Sequence, residues 1–299
     1  MRHRMVEWGK AIAGDMKREL HKMDTVILNN GVEMPLLGIR TRNMAEDDCE
    51  EAVTAALELG YRLIDTAQNE GLEAAVGRAI RRSSVSRKDV FLTTKLTVEN
   101  TTYERTKASL KESLAAMGVD YVDLMLLPHP YNDVYGAWRA MNELKTEGLV
   151  QAVGVGNFFP DRLADLILHN KEHPQVVQIE RHPYFQRAML MNILRQQDIQ
   201  PMAWAPFGDW SMLERPRVQE IAKNHGVTPE QVLIRWQIER EVAVLVRTTD
   251  VTLMKDAMAC FDFSLDTEDL FAIDCMEQDK SMFEDVFKSM NWLEQLSKM

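Results

Sequence analysis

Eight short apolar runs, spread along the whole chain and separated each time by a stretch of helical periodicity, limit what this sequence can fold into. They read LLGI, RLIDTA, VFLTTKL, YVDLMLL, VQAVGVGN, VVQIE, PMAWAP and VAVLVRT. These runs are largely continuous in apolar residues, which suits strands covered on both faces, the condition of a parallel sheet. Between them lie AEDDCEEAVTAALELG, YERTKASLKESLAAMG, VYGAWRAMNELKTEG and similar segments. In the first of these, Ala52, Ala55, Ala56 and Leu59 share one helical face and Gly60 supplies the stop. Eight strand–helix units in 299 residues predict an α/β fold of the (β/α)8 barrel kind. A doubly wound sheet is the competitor, but its usual GxGxxG after the first strand does not occur.

Charge and cysteine usage narrow the function classes. Lys and Arg number 35 against 46 Asp and Glu, a net charge of −11. A broad nucleic-acid or anionic-membrane surface is therefore not expected, although a local basic groove remains open. No apolar run approaches the ~20 residues that span a bilayer. Cys49, Cys260 and Cys275 lie far apart with no CxxC pair, so no metal site and no disulfide framework is expected. A reducing cytoplasm suits this usage. Near the start, Trp8, Ile12, Met16 and Leu20 form one stripe at helical spacing, and Phe283, Val286, Phe287, Met290 and Leu293 form another near the end. The expected organisation is an N-terminal helical extension over 1–23 and a single barrel domain over 24–299 that includes a C-terminal helix. Either stripe can pack on the body or join two copies, so monomer and homodimer both stay open.

In a barrel of this kind, chemistry collects at the carboxyl ends of the strands. Those ends carry Asp65, Lys95, His129, Asn157, Glu180, Trp204 and Arg247.

Longer motifs follow in order: LNNGVEMPLLGI, GYRLIDTAQNEGLEAAVG, TTKL, MGVDYVDLMLL, GVGNF, QIERHPY, APFG and GVTPEQVLIRW. Together they resemble the aldo-keto reductases over about residues 25–276. The resemblance implies a TIM barrel capped by an N-terminal β-hairpin. It implies an NADP-dependent oxidoreductase acting on a small carbonyl or alcohol. Members of the family use Asp, Tyr, Lys and His together: the Tyr hydroxyl protonates the carbonyl oxygen, Lys and Asp adjust that hydroxyl, and His orients the carbonyl. Asp65 and Lys95 match two of the four. Glu70 stands at the Tyr position and Pro128 at the His position, with His129 one place later. A tyrosine titrates near ~10 and a glutamate near ~4.3, so Tyr is a proton donor at neutral pH and a glutamate beside Lys95 is an acceptor. His129 is carried as a possible substitute acid. His182 in the QIERHPY motif reads as packing.

The resemblance also marks a dinucleotide site. Thr41 matches a residue beside the nicotinamide ribose, with Asp65 close by. Asn157 and Gln178 match the carboxamide ligands, although Gly156 replaces the usual Ser. Trp204 matches the ring that stacks on nicotinamide, and Ala205, Phe207 and Gly208 lie in the pyrophosphate loop. Arg247 and Thr248 keep a cation and a hydroxyl for phosphate, and Asp256 stands where a Glu is usual. Leu253 replaces the 2′-phosphate Arg and Ala257 the adenine-reading amide. NADP is the implied cofactor, with NAD, weakened binding and lost binding as the alternatives. Arg40, at a Gly position, crowds the nicotinamide place. With Arg42 it either attracts an acidic substrate or pairs with Glu70 or Asp65. Three functions follow: an oxidoreductase with a modified site, a non-redox isomerase or lyase with Glu70 as base, or a silent barrel that binds a ligand.

Overall fold

The computed structural model describes residues 24–282. The extension over 1–23 and the stripe beyond Met282 lie outside the described residues. Strands β1 (Thr25–Ile27) and β2 (Glu33–Pro35) pair as an antiparallel hairpin. Eight more follow: β3 (Leu37–Arg40), β4 (Leu63–Asp65), β5 (Phe91–Lys95), β6 (Val122–Leu127), β7 (Val150–Gly156), β8 (Val176–Glu180), β9 (Gln200–Trp204) and β10 (Ala243–Val246). These eight close into a barrel in which β10 returns to pair with β3 and every pairing is parallel.

The barrel interior is filled, not open. Leu63, Phe91, Leu124, Leu126, Met202 and Leu245 meet inside it, and Leu28 and Met34 from the hairpin plug the amino-terminal end. A fully buried Leu, Met or Phe side chain contributes about 1.5–3 kcal/mol relative to exposure, so the hairpin is a stabilising cap and not a decoration. The other strand faces pack on the surrounding helices. Where the helix Glu73–Arg82 crosses the end of the helix Tyr103–Met117, a Cβ at Gly77 would come 2.0 Å from the Met117 carbonyl oxygen, so only glycine fits there.

One expected face is corrected. In the helix Glu46–Glu58 the buried residues are Cys49, Ala52, Val53, Ala56 and Leu57, whereas Ala55 is half-buried and Leu59 is already the C-cap. The i, i+3, i+4 pattern starts from Cys49, whose thiol packs as a small hydrophobe.

Candidate active site

The carboxyl ends of β4 and β5 place an acid beside a base in the barrel mouth. Asp65, the last residue of β4, is wholly buried, and Lys95, the last residue of β5, is 6% exposed. Lys95 Nζ donates to Asp65 Oδ2 at 2.5 Å, and Gln178 Nε2 from β8 donates to Asp65 Oδ1 at 3.0 Å. Burial pushes the Lys95 ammonium below its ordinary pKa, and Asp65 pulls it back up.

Glu70 ends a one-turn 3-10 helix, Gln68–Glu70, which Gly71 terminates at φ 69°. Gln68 pins this turn: its Oε1 accepts from Thr97 N and Asn100 Nδ2, and its Nε2 donates to Ser113. Glu70 Oε2 accepts from Thr41 Oγ1 at 2.7 Å. The expectation that Glu70 lies directly against Lys95 is corrected here. Among the described residues Glu70 makes no ion pair, because Lys95 is taken by Asp65 and the carboxylate by Thr41. Its charge still acts through space on Lys95 and on Arg40.

Arg40 ends β3 directly across the ladder from Asp65. Its Nε lies 3.7 Å from Asp65 Oδ2, and its guanidinium sits 5.6 Å over the Trp204 ring. That Nε is buried and has no hydrogen-bond partner among the described residues. Burial lowers the Arg40 pKa, with Asp65 the main opposing influence. Sequence reasoning noted the crowding of the nicotinamide place by Arg40 but had no way to find its contact with Trp204.

The dinucleotide positions divide in two. In the nicotinamide half, Asn157 leaves β7 at φ 56°, a conformation Asn tolerates. Its Oδ1 accepts from Trp204 Nε1 and its Nδ2 donates to the Pro128 carbonyl, both at 3.0 Å. A Cβ at Gly156 would lie 3.0 Å from that same carbonyl. Gly156 thus packs against the main chain at Pro128. In the phosphate half, Gly208, at φ 60°, closes a turn by donating its N–H to the Ala205 carbonyl, and Phe207 is buried against Trp210. Arg247 follows β10 and is exposed. Thr248 Oγ1 accepts from Asp250 N, and Asp250 caps the helix Val251–Met258, which carries Asp256. Arg247, exposed beside the Thr248 hydroxyl, is a cation of the kind a phosphate-bearing cofactor needs. The nicotinamide half fits one only when Arg40 leaves the Trp204 face.

His129 and Glu180 lie at other strand ends and have partners of their own. The His129 ring stacks on Tyr131 at 5.6 Å, and burial, helped by Arg42, lowers its pKa to about 4. An imidazole so placed is neutral at pH 7 and has no proton to spare as an acid. Its ring resonances are expected to show no inflection between about pH 5 and pH 8 in an NMR titration; an inflection near the ordinary histidine value of ~6.5 would put the ring in water. Glu180 accepts from Ser281 Oγ, Met282 N and the neighbouring His182 ring, so it holds the Ser281–Met282 segment against the barrel.

Among the described residues no group of three or more His, Cys, Asp or Glu is placed to hold a metal ion, and no helix is long and apolar enough to cross a membrane. A sequence model of the Aldo/keto reductase family matches residues 36–278. The chain is similar to an aldo-keto reductase of Mycobacterium avium, 39% identical over 253 residues, covering 84% of this chain and 88% of that protein. It is similar to the 9,11-endoperoxide prostaglandin H2 reductase of Trypanosoma cruzi, 37% identical over 85% of this chain and 92% of that protein. The solved aldo/keto reductase of Brucella melitensis superposes with a TM-score of 0.83 at 38% identity, covering 85% of this chain and all of that one. With its closed parallel barrel and its motifs in order, the chain belongs to the aldo/keto reductase family.

Proposed function

We propose that this chain is a nicotinamide-dependent oxidoreductase of small carbonyl and alcohol substrates, in which the Glu70 carboxylate handles the proton that the family pattern assigns to a phenol. The observation that carries this reading is the Glu70 carboxylate, held by Thr41 at 2.7 Å next to a buried Asp65–Lys95 pair. A carboxylate takes a proton more readily than it gives one, so the direction it serves is alcohol oxidation. Glu70 receives the hydroxyl proton, and the Lys95 ammonium steadies the oxygen left behind. A bound dinucleotide supplies the hydride acceptor. Arg247 and Thr248 are its phosphate partners, and with Leu253 in the 2′-phosphate place NAD competes with NADP. The free, buried thiols of Cys49 and Cys260 suit a reducing compartment such as the cytoplasm.

One observation favours a second reading, a barrel that binds a ligand without hydride transfer: Arg40 covers the Trp204 face that a nicotinamide ring would use. Titrating NADPH and NADH while following tryptophan fluorescence separates the two. Saturable quenching by either supports the oxidoreductase. Arg40→Ala clears the indole, and because a desolvated cation–π contact is worth about 2 kcal/mol, binding is expected to tighten by about thirtyfold. The gain is expected to be larger for the oxidised cofactor, whose pyridinium ring carries its own positive charge. No quenching by either cofactor up to roughly millimolar, in wild type or variant, leaves the silent barrel.

A further inference from the structure

The barrel mouth runs against the sign of the chain. The whole protein carries −11, yet the groups that act on one another around Arg40 and Lys95 are four cations, Arg40, Arg42, Lys95 and Arg247, and two carboxylates, Asp65 and Glu70. Both carboxylates are already engaged. Asp65 serves Lys95 and Gln178, and Glu70 serves Thr41. Arg40 is only weakly held: its Nε is buried, its ion pair with Asp65 at 3.7 Å is beyond hydrogen-bond reach, and that Nε has no hydrogen-bond partner among the described residues. A desolvated donor without an acceptor is costly, and a ligand oxygen removes that cost. A guanidinium offers paired N–H groups in a plane that matches a carboxylate, and its contact with the Trp204 ring already limits its rotamers.

We propose that the mouth of this barrel binds a small carboxylate-bearing molecule through Arg40, with Arg42 and Arg247 adding to the attraction, and that it does so in the protein without cofactor. This deepens the proposed function by naming the substrate class. It rests on that reading for what becomes of the ligand but not for its binding. Asp65 already answers both Lys95 and Arg40, so two carboxylates face four cations, and an incoming anion meets the surplus without disturbing either carboxylate.

Calorimetric titration with malonate, succinate and 2-oxoglutarate at fixed ionic strength tests this, with dimethyl malonate as the uncharged counterpart. The diacids are expected to bind and to raise the melting temperature, and the diester is expected to do neither. Arg40→Gln is expected to weaken diacid binding about tenfold or more, the loss of a charge-assisted, bidentate contact. Diester and diacid behaving alike, chloride matching malonate at equal ionic strength, or Arg40→Gln binding malonate as wild type does would each overturn the proposal. The diester comparison needs no variant, so it decides the matter even where Arg40→Gln does not fold. An NADPH titration of the same sample tells the two proposals apart. Malonate binding with no quenching by NADPH or by NADH, in wild type and in Arg40→Ala, upholds the anion site and removes the oxidoreductase, and the converse result does the opposite.

Discussion

Asp65→Ala is expected to destabilise the barrel by about 3–5 kcal/mol at neutral pH, the usual consequence of leaving a buried charge without its partner. Asp65 is wholly buried, accepts from Lys95 and Gln178, and faces Arg40 across the β3–β4 ladder. Its removal leaves two cations in the mouth with no acid between them. The deficit should depend on pH in a definite direction. Burial already holds the Lys95 pKa below its ordinary value, and Asp65 is the main influence opposing it, so the variant lowers that pKa further. Between the lowered folded value and the unfolded value of ~10.4 the unfolded chain binds more protons, so stability rises with pH. Urea midpoints measured at about pH 7 and again near pH 10 are therefore expected to lie well below wild type in the first case and closer to it in the second. A further change, Lys95→Met in the same protein, is expected to recover much of the loss, because an apolar replacement of a buried pair is often close to neutral. A variant as stable as wild type at pH 7, or a deficit unchanged by pH, would show that Asp65 is not what keeps Lys95 charged inside the barrel.

The barrel was legible because parallel strands are covered on both faces and so read as continuous apolar runs. The eight runs and the eight strands agree to within about two residues at their ends. Asp65 and Lys95 were legible for the same reason: each is the charged residue near the end of its run, and β4 pairs with β5, so two strand ends meet. Partner choice was not legible. Glu70 takes Thr41, 29 positions earlier, because the Gln68–Glu70 turn and the left-handed Gly71 set where its carboxylate points. Nothing in the residue types distinguishes that from a contact with Lys95. The direction of Arg40 is likewise decided by Trp204, 164 positions away and on a strand that is not its neighbour in the barrel. Pro128 and Gly156 show a middle case. Each stood out in the sequence, and β6 and β7 pair just before them, but only the structure shows Gly156 lying against the main-chain carbonyl of residue 128.

Glu70→Tyr is expected to raise NADPH-dependent carbonyl reduction by about 10²–10⁴ over the wild-type rate, the range in which general acid help falls. A phenol at the end of the Gln68–Glu70 turn keeps its proton at neutral pH, since it titrates near ~10. Asp65 and Lys95 remain in place to adjust it. Thr41 Oγ1, released from the carboxylate, still has Thr66 Oγ1 at 3.0 Å and the Asp65 carbonyl at 3.4 Å, so the exchange strands no buried hydroxyl. Pro128→His adds the orienting group. The main-chain carbonyl that receives Asn157 Nδ2 survives that change, so the hold on Trp204 through Asn157 survives with it. Arg40→Ala belongs in the same series, because a proton donor helps only when the nicotinamide face of Trp204 is open. The pattern across the series locates the defect. A gain with Glu70→Tyr alone means that only the proton donor was missing, and a gain that needs Arg40→Ala as well means that the cofactor was kept out. Lys95→Met placed on the most active combination is expected to remove the gain, since the phenol then loses the cation that eases its proton away. If the triple variant quenches with NADPH, and so binds it, yet reduces no small aldehyde faster than wild type, then the proton at position 70 is not what this site lacks, and Glu70 has no part in moving one.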